Sequence, residues 1–330
     1  MKSLAILGAT GLVGRMMVQM LEERKFPVVN LKLLSSELSR GKEVAFHGEA
    51  IKVQTIDDNA FKGVDIALFA VDAPISKEIA PKASARCVVI DNSSAFRMEP
   101  GVPLVVPEVN PGAAFEHKGI IANPNCSTIQ LVVVLYPLHK VAKLKRVIVS
   151  TYQSVSGMGK EAIEELEAQL SELKEGEKVS SLACKVFPAP IACNVIPQIG
   201  EFSDSHYTAE ELKMINETRK ILSLPQLMIT ATTVRVPVFY GHSESVTVEF
   251  EQKLTVSDAI DILEKAPGVR VAKENNRYPL PIDIAGSDDV WVGRLRKDTS
   301  SDNGLNLWIV ADNLRKGAAT NAVQIAELLL

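Results

Sequence analysis

Apolar and polar positions follow two different patterns along this chain. In its first third, short apolar runs at residues 4–7, 31–34, 65–70 and 88–91 are separated by helical patterns, the first of which has its apolar face at residues 13–21. Such alternation predicts a mostly parallel sheet with helices on both faces. Ligands of this kind of sheet bind beyond the carboxyl ends of its strands.

The pattern changes at about residue 144. A partly alternating strand at 144–152 is followed by a Glu-rich helix at 160–175. Alternating apolar and polar residues then predict strands at 228–235, 244–250, 290–296 and 305–311. Alternation of this kind suits an antiparallel or mixed sheet that is covered on one face. The last helix, at 317–330, is apolar on one side and is predicted to pack against the first domain.

Composition excludes several classes of function. The 330 residues carry a net charge of −4 and only 5% aromatic residues, so no nucleic-acid partner is expected. No apolar run is long enough to span a bilayer, and the N-terminus does not resemble a signal peptide, so we expect a cytoplasmic protein without a membrane partner. None of the four cysteines has metal-ligand spacing, so no metal site is predicted.

Glycines follow the first apolar run with the spacing G-x-x-G-x-x-G at residues 8–14. At a strand-to-helix turn they let a pyrophosphate approach the backbone, which predicts a Rossmann-type dinucleotide site. The alternative is a tight turn without a ligand. After the second run, Glu37 suits a ribose 2′-hydroxyl, whereas Ser36 and Arg40 suit a 2′-phosphate. We favour NADP here, with NAD as the open alternative.

A cysteine marks the start of another helix. Asn-Pro-Asn-Cys-Ser-Thr at residues 123–128 precedes an apolar run, and Asn-Pro is a turn signal. At a helix N-terminus, Cys126 would lie among unpaired backbone N–H groups, which favour a thiolate and could hold an oxyanion. The alternative is a small buried cysteine in a loop.

Polar groups of the second domain offer complementary chemistry. Arg235 and His242 bracket a strand end and a Pro/Gly turn, where a guanidinium can bind a carboxylate and an imidazole can move a proton. Glu217 and Lys220 share a face of a predicted helix, where they could meet a zwitterionic phosphate. A solvated helix surface is the alternative for that pair.

Taken in order, these segments resemble the aspartate-β-semialdehyde dehydrogenase family nearly end to end. The matching stretches are residues 8–14, 91–98, 106–110, 123–130, 151–157, 194–200 and 312–319, together with Arg235, His242, Glu217 and Lys220. The resemblance implies an α/β fold: a Rossmann-type parallel-sheet domain (residues 1–127 plus 313–330) and an α+β substrate and dimerisation domain (residues 128–312) with a mixed, largely antiparallel sheet. It also implies a homodimer.

The implied reaction is the reductive dephosphorylation of L-aspartyl-4-phosphate with NADPH, which gives aspartate semialdehyde and phosphate through a cysteine thioester. This step belongs to lysine, threonine, methionine and diaminopimelate biosynthesis. By resemblance, the nucleophile is Cys126, the acid/base group is His242, and the residue that orients the substrate is Gln153. The substrate-binding residues are Arg97, Asn125, Glu217, Lys220 and Arg235. The coenzyme-binding residues are Gly8, Thr10, Gly11, Leu12, Val13, Ser35, Ser36, Arg40, Gly157 and Asn313.

Two segments depart from the family pattern. Ala-Val-Asp-Ala-Pro at residues 70–74 replaces a Ser-Ala-Gly-Gly type sequence, and Leu38 stands where the family often has arginine. Both segments normally touch the coenzyme, which motivates a non-catalytic nucleotide-binding paralogue as an alternative. N-acetyl-glutamyl-phosphate reductase is another alternative, but Glu217 discriminates against it because an acetylated amine needs no carboxylate partner. The Ser-Cys-Thr-Thr signature of the glycolytic phosphorylating aldehyde dehydrogenase is absent.

Overall fold

The computed structural model of the chain describes residues 1–273 and 277–330 and divides into two units. Unit 1 comprises Met1–Cys126 and Gly317–Leu330, and unit 2 comprises Ser127–Lys316. The predicted division had its boundaries after residue 127 and before residue 313. Asn313 instead lies in unit 2, where its side chain is hydrogen-bonded to Ser154 and Ser156.

Unit 1 is built on a parallel sheet with the strand order β5-β2-β1-β6-β7-β8. Its strands are β1 (Lys2–Leu7), β2 (Val28–Ser35), β5 (Gln54–Thr55), β6 (Ile66–Phe69), β7 (Val88–Asp91) and β8 (Ile120–Ala122). Its helices are α1 (Leu12–Glu23), α2 (Ala73–Ser84) and α8 (Thr320–Leu328), and a separate hairpin consists of β3 (Glu43–Phe46) and β4 (Glu49–Lys52). The predicted parallel sheet is therefore confirmed.

The apolar runs become strands because helices bury them from both sides. Leu4 and Ile6 of β1 belong to one core cluster with Met17 of α1 and Val323 of α8. Every residue of β6 is buried, as expected for a central parallel strand. The C-terminal helix therefore completes the core of the first unit, which confirms its predicted packing.

Unit 2 is built on a mixed sheet with the strand order β10-β9-β11-β14-β13-β12. Its strands are β9 (Leu144–Gln153), β10 (Met228–Arg235), β11 (His242–Phe250), β12 (Val269–Val271), β13 (Val290–Lys297) and β14 (Gly304–Ala311). Its helices are α4 (Lys160–Lys174), α5 (Ala209–Ile221), α6 (Val256–Glu264) and α7 (Pro281–Ile284). Helix α3 (Cys126–Ala142) also belongs to unit 2, apart from its first residue, Cys126. Among the described residues, β9 pairs with β10 and β12 with β13 in parallel, while the three remaining pairings are antiparallel.

Some boundaries differ from the sequence-based prediction. Strand β11 begins at His242 rather than at residue 244, so His242 lies on the strand itself. The last helix begins at Thr320 because residues Arg315–Ala319 form a π-helical turn. The β3–β4 hairpin was not predicted, since its short, largely exposed strands show little alternation. Within the described part of the chain, no helix is both long and apolar enough to cross a membrane.

Candidate active site

The glycine loop of unit 1 is shaped by close backbone approaches. Gly8 has φ +85°, and a Cβ added to it would lie 2.2 Å from the carbonyl oxygen of Ala70. A Cβ at Gly14 would lie 2.1 Å from the oxygen of Gly8, whereas one at Gly11 would meet only that oxygen, at 3.5 Å. Gly8 and Gly14 thus allow the tight turn, and Gly11 opens onto the N-terminus of α1. The loop fits the pyrophosphate of a dinucleotide, as the glycine spacing suggested.

The predicted coenzyme residues of unit 1 surround this loop. Leu12 and Val13 are the first two residues of α1, whose first turn contains no acidic side chain. The hydroxyl of Thr10 is hydrogen-bonded to those of Ser35, at 3.0 Å, and Ser39, at 3.1 Å. The turn is thereby tied to the end of β2, where the ribose of a dinucleotide lies in folds of this type.

The loop after β2 contains charges of both signs. Ser36 precedes a short 3-10 helix at Glu37–Ser39, and the guanidinium of Arg40 lies 3.8 Å from the carboxylate of Glu37. Both side chains are about 70% exposed, at 70% and 73%. A contact of this kind is weak in water, so it leaves Arg40 free to turn toward a phosphate. Leu38 is 91% exposed and supplies no charge.

Arg97 is fixed against the segment that leads to Cys126. Its Nε donates to the carbonyl oxygen of Asn123 at 2.9 Å, and its Nη2 donates to that of Asn92 at 2.9 Å. The Asn123 amide is itself held by Asn92 and by Asn321 of α8. These contacts fix the buried Arg97 guanidinium against Asn123, which precedes Asn125 by two residues.

Cys126 is the first residue of α3, as predicted, and is half-buried, while Asn125 before it is buried. The first turn of α3 contains no acidic residue. Backbone N–H groups at this position favour an anionic sulfur and can hold an oxyanion. The other cysteines lack this setting. Burial raises the pKa of Cys87 to about 11, and Cys184 and Cys193 lie exposed outside helices and strands.

In unit 2, three predicted residues form one row across the sheet. Arg235 is the register partner of Gln153. On the other side, Ser243 pairs with Tyr152, and the same antiparallel register continued by one residue aligns His242 with Gln153. All three side chains lie on the covered face and are at most 3% exposed. The register thus brings together residues that are up to 89 positions apart (242 − 153 = 89).

Gln153 connects this row to α3 and α5. Its Nε2 donates to the hydroxyl of Ser127 at 2.9 Å and to the carboxylate of Glu210 at 3.2 Å. Ser127 directly follows Cys126 in α3. The amide is therefore oriented by a residue next to the predicted nucleophile and by a buried glutamate.

His242 is held in one protonation form. The backbone N–H of Ser154 donates to Nδ1 at 3.1 Å, so the neutral ring carries its proton on Nε2. Burial and, to a lesser extent, the neighbouring Arg235 together lower the pKa of His242 to about 3, against the opposing effects of Glu210 and of the Gly241 backbone. No hydrogen-bond partner for Nε2 lies among the described residues. His242 is thus a neutral imidazole with an available N–H donor.

Gly157 lies against two members of this row, Arg235 and His242. A Cβ there would be 3.0 Å from Nη1 of Arg235 and 3.3 Å from Nε2 of His242. Asn313 lies nearby, and its Oδ1 accepts hydrogen bonds from Ser154 Oγ at 3.0 Å and from the backbone of Gly241 at 2.9 Å. Coenzyme contacts by Gly157 and Asn313 stay predictions, since these observed contacts are with unit 2 itself.

Helix α5 carries the other predicted substrate residues. It begins with a capping box, in which Thr208 and Glu211 satisfy each other's backbone N–H groups. Glu217 is only 1% exposed, and Lys220 is half-buried near the C-terminal end. A glutamate so deeply buried does not match the alternative of a solvated helix surface.

Known proteins match this chain over nearly its whole length. The family model described as "Semialdehyde dehydrogenase, NAD binding domain" matches residues 3–117, and "Semialdehyde dehydrogenase, dimerisation domain" matches residues 135–316. The curated aspartate-semialdehyde dehydrogenase of Aquifex aeolicus is 54% identical over 332 residues, which cover 99% of this chain and 97% of the relative. The chain belongs to the aspartate-semialdehyde dehydrogenase family.

Other relatives of the aspartate-semialdehyde dehydrogenase family match as completely. That of Synechocystis is 49% identical and covers 99% of this chain and 96% of its own. The crystal structure of aspartate semialdehyde dehydrogenase II from Vibrio cholerae, complexed with ASA, has a TM-score of 0.97 at 48% identity and covers 99% of this chain and 98% of its own. These matches do not favour N-acetyl-glutamyl-phosphate reductase or a non-catalytic paralogue.

Two contacts at the site of this aspartate-semialdehyde dehydrogenase family member were not found from the sequence. Ser154 fixes the His242 ring, and Glu210 contacts Gln153. A signal existed for Glu210, because it lies seven residues, or about two helical turns, before Glu217 and thus on the same face of α5. Ser154 had no such signal, since a backbone donor is not visible in side-chain patterns.

We expect the low pKa of His242 to make acid destabilise this protein. Its native pKa of about 3 lies below the ordinary 6.5, so below pH 6.5 the unfolded chain binds a proton that the native state does not. The free energy of unfolding should therefore fall by about 2 kcal/mol more from pH 7 to pH 5 than in His242→Gln. Urea unfolding of both proteins measures this, and parallel pH curves would contradict it.

Proposed function

We propose that this protein catalyses the NADPH-dependent reductive dephosphorylation of L-aspartyl-4-phosphate to L-aspartate 4-semialdehyde and phosphate. The observation that supports this most strongly is the buried row of Arg235, Gln153 and His242. In this row Gln153 donates a hydrogen bond to Ser127, which directly follows Cys126. Family membership supports the reaction and the named substrate. The cytoplasm is the proposed location.

The residues of unit 1 supply the nucleophile and an anion site. Cys126 attacks the acyl carbon as a thiolate, phosphate leaves, and a thioester forms, which splits one hard step into two easier ones. We assign the phosphate to Arg97 and Asn125, together with Lys220 of unit 2. The fixed guanidinium of Arg97 is suited to this because it is anchored through two backbone carbonyls.

The residues of unit 2 hold the amino-acid end of the substrate. Arg235 binds the α-carboxylate, Glu217 binds the ammonium group, and Gln153 orients the reacting carbonyl. A substrate with a free ammonium requires a carboxylate partner, and Glu217 is buried as such a partner should be.

His242 acts as a hydrogen-bond donor from Nε2 to the reacting oxygen. That oxygen carries negative charge before phosphate leaves and again before the thiolate leaves, and neither expulsion requires the oxygen to be protonated. A neutral Nε2–H therefore suffices for both steps, in line with the depressed pKa of the ring. The resemblance implied that His242 is an acid/base group. We propose instead that it only donates a hydrogen bond to the reacting oxygen and transfers no proton.

The coenzyme site lies at the glycine loop of unit 1. The residues that would hold the coenzyme there are Gly8, Thr10, Gly11, Leu12, Val13, Ser35, Ser36 and Arg40. Bound reduced nicotinamide supplies the hydride that converts the thioester to the aldehyde. We propose NADP rather than NAD because Arg40, Lys42 and the hydroxyl groups of Ser36 and Ser39 can receive a 2′-phosphate.

We expect the protein to reduce NADP when aspartate semialdehyde and phosphate are both present, as followed by absorbance of the reduced coenzyme. Omitting phosphate should stop turnover, because the thioester then has no acceptor that gives the acyl phosphate. N-acetyl-glutamate semialdehyde is the matched control substrate and should be inactive. Absence of turnover with both NADP and NAD would instead favour the non-catalytic paralogue.

We also propose a homodimer formed through unit 2. The uncovered face of its sheet exposes Tyr152, at 38%, and Ile148, at 36%, and Tyr152 packs beside Trp308 with ring centroids 5.4 Å apart. Apolar groups of this size on a sheet face mark an interaction surface. Sedimentation at micromolar concentration should give twice the chain mass, and Tyr152→Glu should shift the protein toward the monomer. A wild-type monomer would contradict the proposal.

A further inference from the structure

A second polar row lies beneath the row that holds the catalytic residues. Thr233 lies two positions before Arg235 on β10, and Thr151 lies two positions before Gln153 on β9. Glu244 lies two positions after His242 on β11. The register pairs Thr151 with each of the other two. All three are 0% exposed and lie on the covered face of the sheet. This row contains a carboxyl group that the proposed reaction does not use.

The helix that begins at Cys126 meets this second row one turn further on. Gln130 follows Cys126 by four positions, so the two side chains lie on the same helix face. The Gln130 side chain opposes the rise in the pKa of the Glu244 carboxyl, and the two groups form no hydrogen bond in this geometry. The second row thus touches the strand of His242 and the helix of Cys126.

Among the described residues, no charged group pairs with Glu244. Burial raises the pKa of Glu244 well above 4.5, and Gln130 opposes this, so burial favours the neutral form of the carboxyl. The charged or titratable groups along the same face include His242 and Arg235 in the row above, and Glu210 and Glu211 of α5, which contact Gln153 and Thr233. The β14 register partner of Glu244 is Ile309, which carries no charge.

Hydrogen-bonding capacity is left over in the second row. Neither Glu244 carboxyl oxygen has a hydrogen-bond partner of normal geometry among the described residues, and the same holds for Thr151 Oγ1 and Gln130 Nε2. Burying such groups without hydrogen bonds costs free energy, and unsatisfied buried polar groups are rare in native proteins. A purely structural core position would favour an apolar side chain at Glu244.

We propose that Glu244 is a positioning residue, whose buried carboxyl group fixes the His242 end of β11 against the helix carrying Cys126. This rests on the proposed function. Neutrality matters because the reaction develops negative charge on a sulfur and on an oxygen, and a carboxylate beneath them would oppose both. An amide can replace the neutral acid, whereas an apolar side chain cannot.

Three variants test this with the phosphate-dependent assay. Glu244→Gln keeps shape, neutrality and hydrogen bonding, so its kcat should stay close to that of the wild type. Glu244→Leu should lower kcat by about 30-fold to 100-fold with little change in KM, because a misplacement of about 1 Å costs roughly 100-fold. Glu249→Leu is the matched control, since this partly exposed residue lies on the opposite face of β11 and should leave kcat unchanged.

Wild-type kcat in Glu244→Leu would overturn the proposal. An equal loss of kcat in Glu244→Gln and Glu244→Leu would also overturn the proposal. It would show that an amide cannot replace the carboxyl group, whereas the proposal requires that it can. If the wild type is inactive in this assay, the proposed function itself is contradicted, rather than the role of Glu244.

A second measurement does not depend on activity or on folding of the leucine variant. Above pH 4.5 the unfolded carboxyl ionises while native Glu244 stays protonated, so the wild type should lose stability as the pH rises. Relative to Glu244→Gln, its unfolding constant should increase by up to about tenfold per pH unit until the native pKa is reached. A ratio that does not change between pH 5 and pH 8 would overturn the neutral assignment.

Discussion

Replacement of Cys126 by serine is expected to abolish phosphate-dependent reduction of NADP. Serine is nearly isosteric, but the helix N-terminus cannot ionise a hydroxyl as it can a thiol, so the covalent intermediate does not form. We expect kcat to fall by at least about 10⁴-fold, as for loss of a covalent nucleophile, with little change in coenzyme affinity. Steady-state rates and coenzyme titration followed by fluorescence measure the two quantities.

The matched control is Cys184→Ser. Cys184 is exposed in an irregular segment of unit 2 and should be replaceable without loss of rate. Mass spectrometry of the wild type, mixed with aspartate semialdehyde and NADP without phosphate, should find an acyl group on Cys126. Turnover of the serine variant near the wild-type rate, or an acyl group on another residue, would remove Cys126 from its role.

Periodicity predicted the parallel sheet and the helix at Cys126 because both depend on local sequence. Continuous apolar runs such as residues 66–69 are buried on both faces, and an Asn-Pro turn followed by Ser and Thr before a long apolar run is a local signal for the start of a helix. The β3–β4 hairpin escaped because its residues are mostly exposed, so no core imposes alternation on them.

The site was predicted as a set of residues but not as an arrangement. That Arg235, Gln153 and His242 share one row follows from strand register, which depends on pairings between distant segments. The residues alone marked His242 only as an imidazole near a strand end that could move a proton. The resemblance added the roles, and the structure added the protonation form of the ring, because a backbone N–H meets Nδ1.

Replacement of Arg235 by lysine is expected to weaken binding of aspartate semialdehyde. The Arg235 backbone is fixed by two hydrogen bonds to Ile196, and its Nη1 donates to the carbonyl of Ser154, so the guanidinium is held with a defined orientation. A lysine ammonium is a point charge that cannot make two parallel bonds to a carboxylate. We expect KM to rise about 10-fold to 100-fold, which corresponds to roughly 1.5–3 kcal/mol for a lost charge-assisted hydrogen bond.

The matched control is Arg270→Lys, since Arg270 also pairs with a carboxylate, Asp289 at 2.8 Å, but on the surface. It should leave KM unchanged. Urea unfolding of both variants separates loss of binding from loss of structure, because a misfolded site would lower stability as well as affinity. If Arg235→Lys keeps the wild-type KM, the α-carboxylate must be bound elsewhere. The short hydrogen bond to Ser154 would then mean that the guanidinium serves chiefly to hold the loop that fixes His242.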